Sequence, residues 1–87
     1  MIGFLRGKIA DVGPDSVLLD VGGVGFEVKV GPGLRSSAEV SGPARETFLW
    51  TYAHYSQEGP SLFGFGSRQD LEAFKLLLSV SGVGPRT

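Results

Sequence analysis

The richest chemistry in this sequence lies in the stretch SVSGVGPRT at residues 79–87. Ser81, Gly82, Val83, Gly84 and Arg86 follow a segment with helical periodicity, and Pro85 stands between the second glycine and the arginine. Without Cβ atoms, the two glycines let the backbone come within hydrogen-bonding distance of a phosphate. Pro85 suits the first turn of a following helix. The free N–H groups and dipole of that helix would face the anion, with Arg86 adding charge beside them. Contacts of this kind hold a nucleic-acid backbone and do not read bases. The pattern is the front half of a helix–hairpin–helix, with Ser81 and Val83 shaping the hairpin. An ordinary helix C-cap, with glycine in the left-handed region and a proline stop, uses the same residues.

Other reactive side chains are sparse. His54 is the only histidine, and there is no cysteine, so neither disulfides nor thiolate metal sites are available and no second imidazole can share a metal with it. Ser56 and several acids could complete a serine–histidine–acid triad by count, but nothing resembles a nucleophile elbow. Asp11, Asp15 and Asp20 could be drawn as Mg²⁺ ligands of a nuclease, although aspartates flanking a turn have structural work to do. The glycine runs match neither a dinucleotide fingerprint nor a phosphate-binding loop with its Gly-Lys-Ser/Thr ending. The residues therefore call for no catalytic group, no metal and no cofactor. Phe4, Phe26, Phe48, Trp50, Tyr52 and Tyr55 could form a base-stacking platform, but alternation sends Phe26, Phe48 and Trp50 to the core and leaves Tyr52 and Tyr55 exposed. Arg6, Lys8, Lys29 and Arg35 are candidates for a local basic surface.

Charge narrows the partners. Eight basic and nine acidic residues give a net charge of −1, which is not the balance of a protein that wraps nucleic acid over its whole surface. Any DNA contact must be a local patch. The N-terminal apolar run breaks at Arg6 and Lys8, unlike a signal peptide, and no stretch reaches the ~18 apolar residues of a membrane span. A cytoplasmic location and no membrane partner are expected. Eighty-seven residues allow one modest core that buries roughly 60–65% of the unfolded surface, so association would help.

The elements that must position these groups are mostly strands. Met1 to Asp11 reads as the first strand, with Ile2, Phe4 and Arg6 on one side and Leu5 and Ile9 on the other, and with Gly3 and Gly7 marking a bulge or bend. GPDS at 13–16 is a turn. Val17 to Val21 and Phe26 to Val30 are the next strands, the latter with Phe26, Val28 and Val30 inward and Glu27 and Lys29 outward. Gly22 and Gly23 supply the hairpin between them. Residues 31–45 are polar and hold a short helical turn. Glu46 to Tyr55 is the fourth strand, with Phe48, Trp50 and Tyr52 on one face and Leu49, Thr51 and Ala53 on the other. Residues 56–60 form a loop and Ser61 to Phe65 the fifth strand. Five short strands with a bent first one suggest a small barrel of the oligonucleotide/oligosaccharide-binding (OB) kind. The period then changes. In SRQDLEAFKLLLSV at 67–80, Leu71, Phe74, Leu77 and Leu78 recur at helical spacing, with Ser67 as N-cap and Asp70 three residues on. The reading is a mainly β chain in two parts: an OB barrel over 1–64, then one α-helix and the start of a helix–hairpin–helix over 65–87.

Four stretches in this order, MIGFLRGKI, LLDVGGVGFEV, LFGF and LLLSVSGVGPR, closely resemble the bacterial RuvA family of Holliday-junction-binding proteins, and the likeness covers essentially the whole chain. The resemblance implies an OB barrel followed by a domain with two helix–hairpin–helix motifs and a flexible C-terminal domain. Family members are about twice this length or more, so a fragment is implied. It also implies a homotetramer, or an octamer of two such rings, that holds the arms of four-way junction DNA flat, with the RuvB ATPase as motor and the RuvC resolvase as a further partner in recombination and repair. The family carries an acidic pin, two adjacent carboxylates before the last barrel strand, that repels phosphates at the crossover. The matching positions are Gln57 and Glu58. Glu58 fits and Gln57 is neutral, so each subunit would place one negative charge at the centre instead of two. Without the resemblance, Glu58 is a solvated loop carboxylate.

Three functions compete. A junction scaffold without catalysis predicts sequence-independent binding through Gly82, Gly84 and Arg86. A single-strand-binding OB module predicts preference for unpaired DNA and quenching of Trp50. A small carboxylate hydrolase or nuclease predicts turnover with Mg²⁺.

Overall fold

The computed structural model describes residues 2–42 and 45–80 of the 87. Five strands and two helices follow in the order β1 (Phe4–Val12), β2 (Ser16–Val21), β3 (Val24–Lys29), α1 (Pro32–Ser41), β4 (Glu46–Ser56), β5 (Gly59–Phe65) and α2 (Arg68–Ser79). The strands close into a barrel in the order β1-β2-β3-β5-β4, antiparallel except where β3 meets β5. This is the five-stranded OB architecture.

Closure depends on β1, which pairs with β4 from Phe4↔Trp50 to Lys8↔Glu46 and with β2 from Lys8↔Asp20 to Val12↔Val17. The strand must bend to serve two neighbours. The register shifts between Ile9 and Asp11, a bulge at Ala10 that adds local twist. Gly7 has a different role from the bulge expected of it. A Cβ there would run into the backbone carbonyl of Asp20, so the close crossing of β1 over β2 requires glycine. The β2–β3 hairpin turns on Gly22 and Gly23, both at positive φ (60° and 92°), as a tight hairpin demands.

The core follows the alternation of β1, β2 and β3. Leu5, Ile9, Val17, Leu19, Val28 and Leu49 form one buried cluster, with Phe26 and Val30 packed partly against it. In β4 the inward face is Leu49, Thr51 and Ala53. The expectation that Phe48 and Trp50 fill the core is therefore corrected: both are half-buried on the outer wall. A five-stranded barrel has little interior volume, and small or medium side chains fill it. Buried Thr51 is satisfied because its Oγ1 donates to the carbonyl of Ile2 at 2.7 Å, and an unpaired hydroxyl there would cost about 1–3 kcal/mol.

Residues 31–45 hold more than a helical turn. α1 runs for ten residues with proline in its first turn and Gly42 beyond its end at φ 83°, the usual asymmetry of helix ends. Leu34 and Ala38, one turn apart, pack against the barrel cluster, and Arg35 Nε donates to the carbonyl of Gly13 at 2.7 Å. α1 thus plugs one end of the barrel.

α2 begins as expected. Ser67 is extended, and its hydroxyl accepts the N–H of Asp70 at 3.1 Å, a cap worth about 1 kcal/mol. Asp70 in the first turn complements the helix dipole. Leu71 is buried. Phe74 meets Tyr52, Phe63 and Phe65 at centroid distances of 5.7, 5.4 and 5.0 Å. The helix therefore lies on the outer wall of β4 and β5. Tyr52, expected to be exposed, is half-covered by it. Among the described residues, no helix is long and apolar enough to cross a membrane.

Candidate nucleic-acid interface

The turn between β4 and β5 is tighter than the expected five-residue loop. Strand pairing runs out to Ser56↔Gly59, leaving only Gln57 and Glu58 as the connection. Gly59 sits at φ 107°, which a side chain would strain. Ser56 Oγ donates to the carbonyl of Gly59 at 3.2 Å and accepts the N–H of Glu58 at 3.3 Å. A serine that locks its own turn in this way is performing the structural job of such residues. Gln57 and Glu58 are both exposed at the tip. The structure thus brings the two positions together, with one carboxylate and one amide.

This tip stands away from the barrel. β1 pairs with β4 only up to Trp50, after which the N–H of Thr51 still reaches the carbonyl of Gly3 at 3.0 Å. β3 pairs with β5 only at Leu62 and Phe63. Beyond Ala53↔Leu62 the two strands pair with each other alone as far as Ser56↔Gly59. Three residue steps at roughly 3.4 Å each give a two-stranded arm of about 10 Å.

The barrel walls differ in charge. Arg6 and Lys8 point outward from β1. The Arg6 guanidinium lies 5.4 Å from the Phe48 ring centre, and Arg68 at the start of α2 lies 6.0 Å from that of Trp50. Phe4 stacks on Phe48 at 5.0 Å. The neighbouring β2–β3 wall instead presents exposed Leu18, Asp20 and Glu27. That wall is where OB folds commonly take oligonucleotides, and two carboxylates on it oppose a phosphate backbone. The expected basic set divides: Arg6 and Lys8 share β1, Lys29 lies 5.8 Å from the Phe63 ring centre, and Arg35 is engaged with Gly13 and, at 3.3 Å, with Glu39. The cation-covered aromatic wall was not foreseen from the sequence, where Arg68 is distant from Trp50.

The remaining candidates are scattered. His54 stacks loosely on Tyr52 at 6.5 Å. Asp11 accepts the N–H of Val12 at 2.9 Å and Asp20 that of Gly23 at 2.8 Å, which are turn and strand-end contacts. Among the described residues, no three His, Asp or Glu side chains converge as a metal site would require. Ser81, Gly82, Val83, Gly84 and Arg86 lie outside the described residues. What is described is the helix leading to them, whose outer side exposes Leu76, Leu77 and Val80 at 68, 60 and 52%. Of the four residues expected at helical spacing, Leu71 is buried and Phe74 and Leu78 are half-buried, while Leu77 is exposed.

Comparison with known proteins covers both parts of the chain. Residues 1–64 match the family described as the RuvA N terminal domain. The chain is 44% identical over 87 residues to the Holliday junction branch migration complex subunit RuvA of Desulforudis audaxviator, with all of this chain and 42% of the relative covered. It is 41% identical over 86 residues to the subunit of that name from Caldanaerobacter subterraneus, covering 99% and 45%. For that of Alkalilimnicola ehrlichii the identity is 42% over 86 residues, covering 99% and 40%. The chain spans less than half the length of these curated relatives.

Proposed function

The chain belongs to the RuvA N-terminal domain family, and from that premise we propose that it is the junction-engaging part of a subunit that binds four-way DNA without reading its bases. The observation that carries this reading is the similarity, over 99 to 100% of this chain, to subunits named for Holliday junction branch migration. The whole assembly is a ring of four copies around the crossover, alone or as two rings. A RuvB ATPase supplies the work of migration, and a RuvC resolvase acts on the same junction. This chain carries no catalytic step of its own.

Two parts divide the task. The hairpin of Ser81, Gly82, Val83, Gly84 and Arg86 grips the phosphates of the arms through backbone N–H groups and one guanidinium. The exposed Leu76, Leu77 and Val80 just before it are the surface that the second helix of such a motif covers. The β4–β5 tip acts at the crossover, where the Glu58 carboxylate repels phosphates and Gln57 offers hydrogen bonds without charge. The acidic β2–β3 wall argues against the single-strand-binding alternative.

A gel-shift comparison with the full-length protein tests the proposal. Four-way junction should shift at lower protein concentration than duplex or single strand of equal length. Preference for single strand would favour the generic OB module instead.

A further inference from the structure

We propose that Tyr55, on the flank of the β4–β5 arm, is the stacking surface for an unpaired base at the strand crossover. The inference rests on the junction reading above and deepens it.

Alternation places Tyr55 on the side of Leu49, Thr51 and Ala53, which is the core side of β4. Yet the residue is 68% exposed, because at that point the arm has passed beyond the pairing with β1 and β3, and the hollow it lines with Ile2, Glu27, Lys29 and Pro60 is open. Its cross-strand partner is Pro60, so one side of the arm presents an aromatic ring beside a rigid pyrrolidine. Among the described residues Tyr55 has no ring partner. That separates it from Phe4, Phe48, Trp50 and Tyr52, whose rings are engaged by one another, by Arg6 and Arg68, or by α2. Pro60 also removes a backbone donor from the arm's outer edge, which discourages another strand from pairing there.

Charge selects the occupant. Between Ala53 and Leu62 there is no lysine or arginine, and Glu58 is at the tip; the hollow beside Tyr55 adds Lys29 and Glu27, one charge of each sign. Such an element does not follow a phosphate backbone. It offers a π-face for a base while its carboxylate keeps phosphates away. Bases stacked on protein aromatics gain affinity without sequence preference, which agrees with a scaffold that must work at any crossover.

A binding cycle on the full-length protein isolates the contact. The junction is immobile, with its crossover fixed, and is compared with an otherwise identical junction lacking the bases at the crossover. Tyr55→Ala should weaken binding of the intact junction about tenfold, the scale of one lost stacking contact. It should change binding of the abasic junction less than about twofold, since the coupling needs both partners. Tyr55→Phe should match the unaltered protein on both. Equal loss on the two junctions, no loss on the intact one, or a changed assembly mass for Tyr55→Ala by sedimentation would overturn the inference and leave the junction reading intact. Failure of the unaltered protein to prefer junction over duplex would overturn that reading and this inference with it.

Discussion

Removing the Phe74 ring should detach α2 from a barrel that stays folded. Phe74 contacts three rings on the barrel wall, and Leu71 is the only fully buried residue of the helix. A fully buried Phe→Ala change costs roughly 3–5 kcal/mol. Phe74 is half-buried, so Phe74→Ala should cost about 2 kcal/mol of docking energy, consistent with aromatic pairs worth roughly 0.5–1.5 kcal/mol each. That is about a 30-fold shift in the docking equilibrium. A helix of 12 residues is marginal by itself, so undocking should melt it. The central cluster of the barrel contains no α2 residue, so its stability should not follow. Native-state hydrogen exchange reads both at once. The later amides of α2 should lose about 30-fold in protection, while those of Leu19 and Val28 should be unchanged. Equal loss in helix and barrel would refute the separation of the two parts, and no loss in the helix would refute the clamp.

Two further outcomes follow from the same geometry. Gly7→Ala should strongly destabilise the barrel, because the new methyl meets the carbonyl of Asp20 in a crossing that cannot widen without opening the sheet. Denaturant titration should show a loss of at least about 2 kcal/mol, in the upper part of the range for single substitutions, and a neutral effect would mean that β1 and β2 are looser than described. Arg86→Ala in the full-length protein should weaken junctions of all sequences equally and flatten the slope of log affinity against log salt by roughly 1. A loss confined to particular base sequences would contradict a phosphate role.

Much of this fold was legible because local signals agreed with each other. β3 alternates cleanly, the Gly22–Gly23 hairpin needs positive φ at both positions, and Ser67 with Asp70 marks the start of α2. β4 was harder. Both of its faces are apolar, so alternation alone could not say which one is inside, and residue size pointed the wrong way. Phe48 and Trp50 are too bulky for a five-stranded interior and found cover outside, beneath Arg6 and Arg68. α1 was underread because Pro32, Gly33, Ser36 and Ser37 are weak helix formers. Its signal was Leu34 and Ala38 one turn apart, with proline at the start and Gly42 at the end, and its stability comes from plugging the barrel. The tip residues Gln57 and Glu58 were placed by resemblance. That they crown a projecting two-stranded arm depends on where β1 and β3 stop pairing, which no local pattern in β4 or β5 encodes.

The central claim is that this chain serves DNA shape and not DNA sequence. It is tested most directly by measuring, at one fixed salt concentration, the affinity of the full-length protein for several four-way junctions with unrelated arm sequences and for linear duplexes of matched composition. The account predicts junction affinities that agree within about threefold and all exceed those of the duplexes by tenfold or more, a gap of about 1.4 kcal/mol. Affinities that follow arm sequence, or that are equal for junction and duplex, would contradict it.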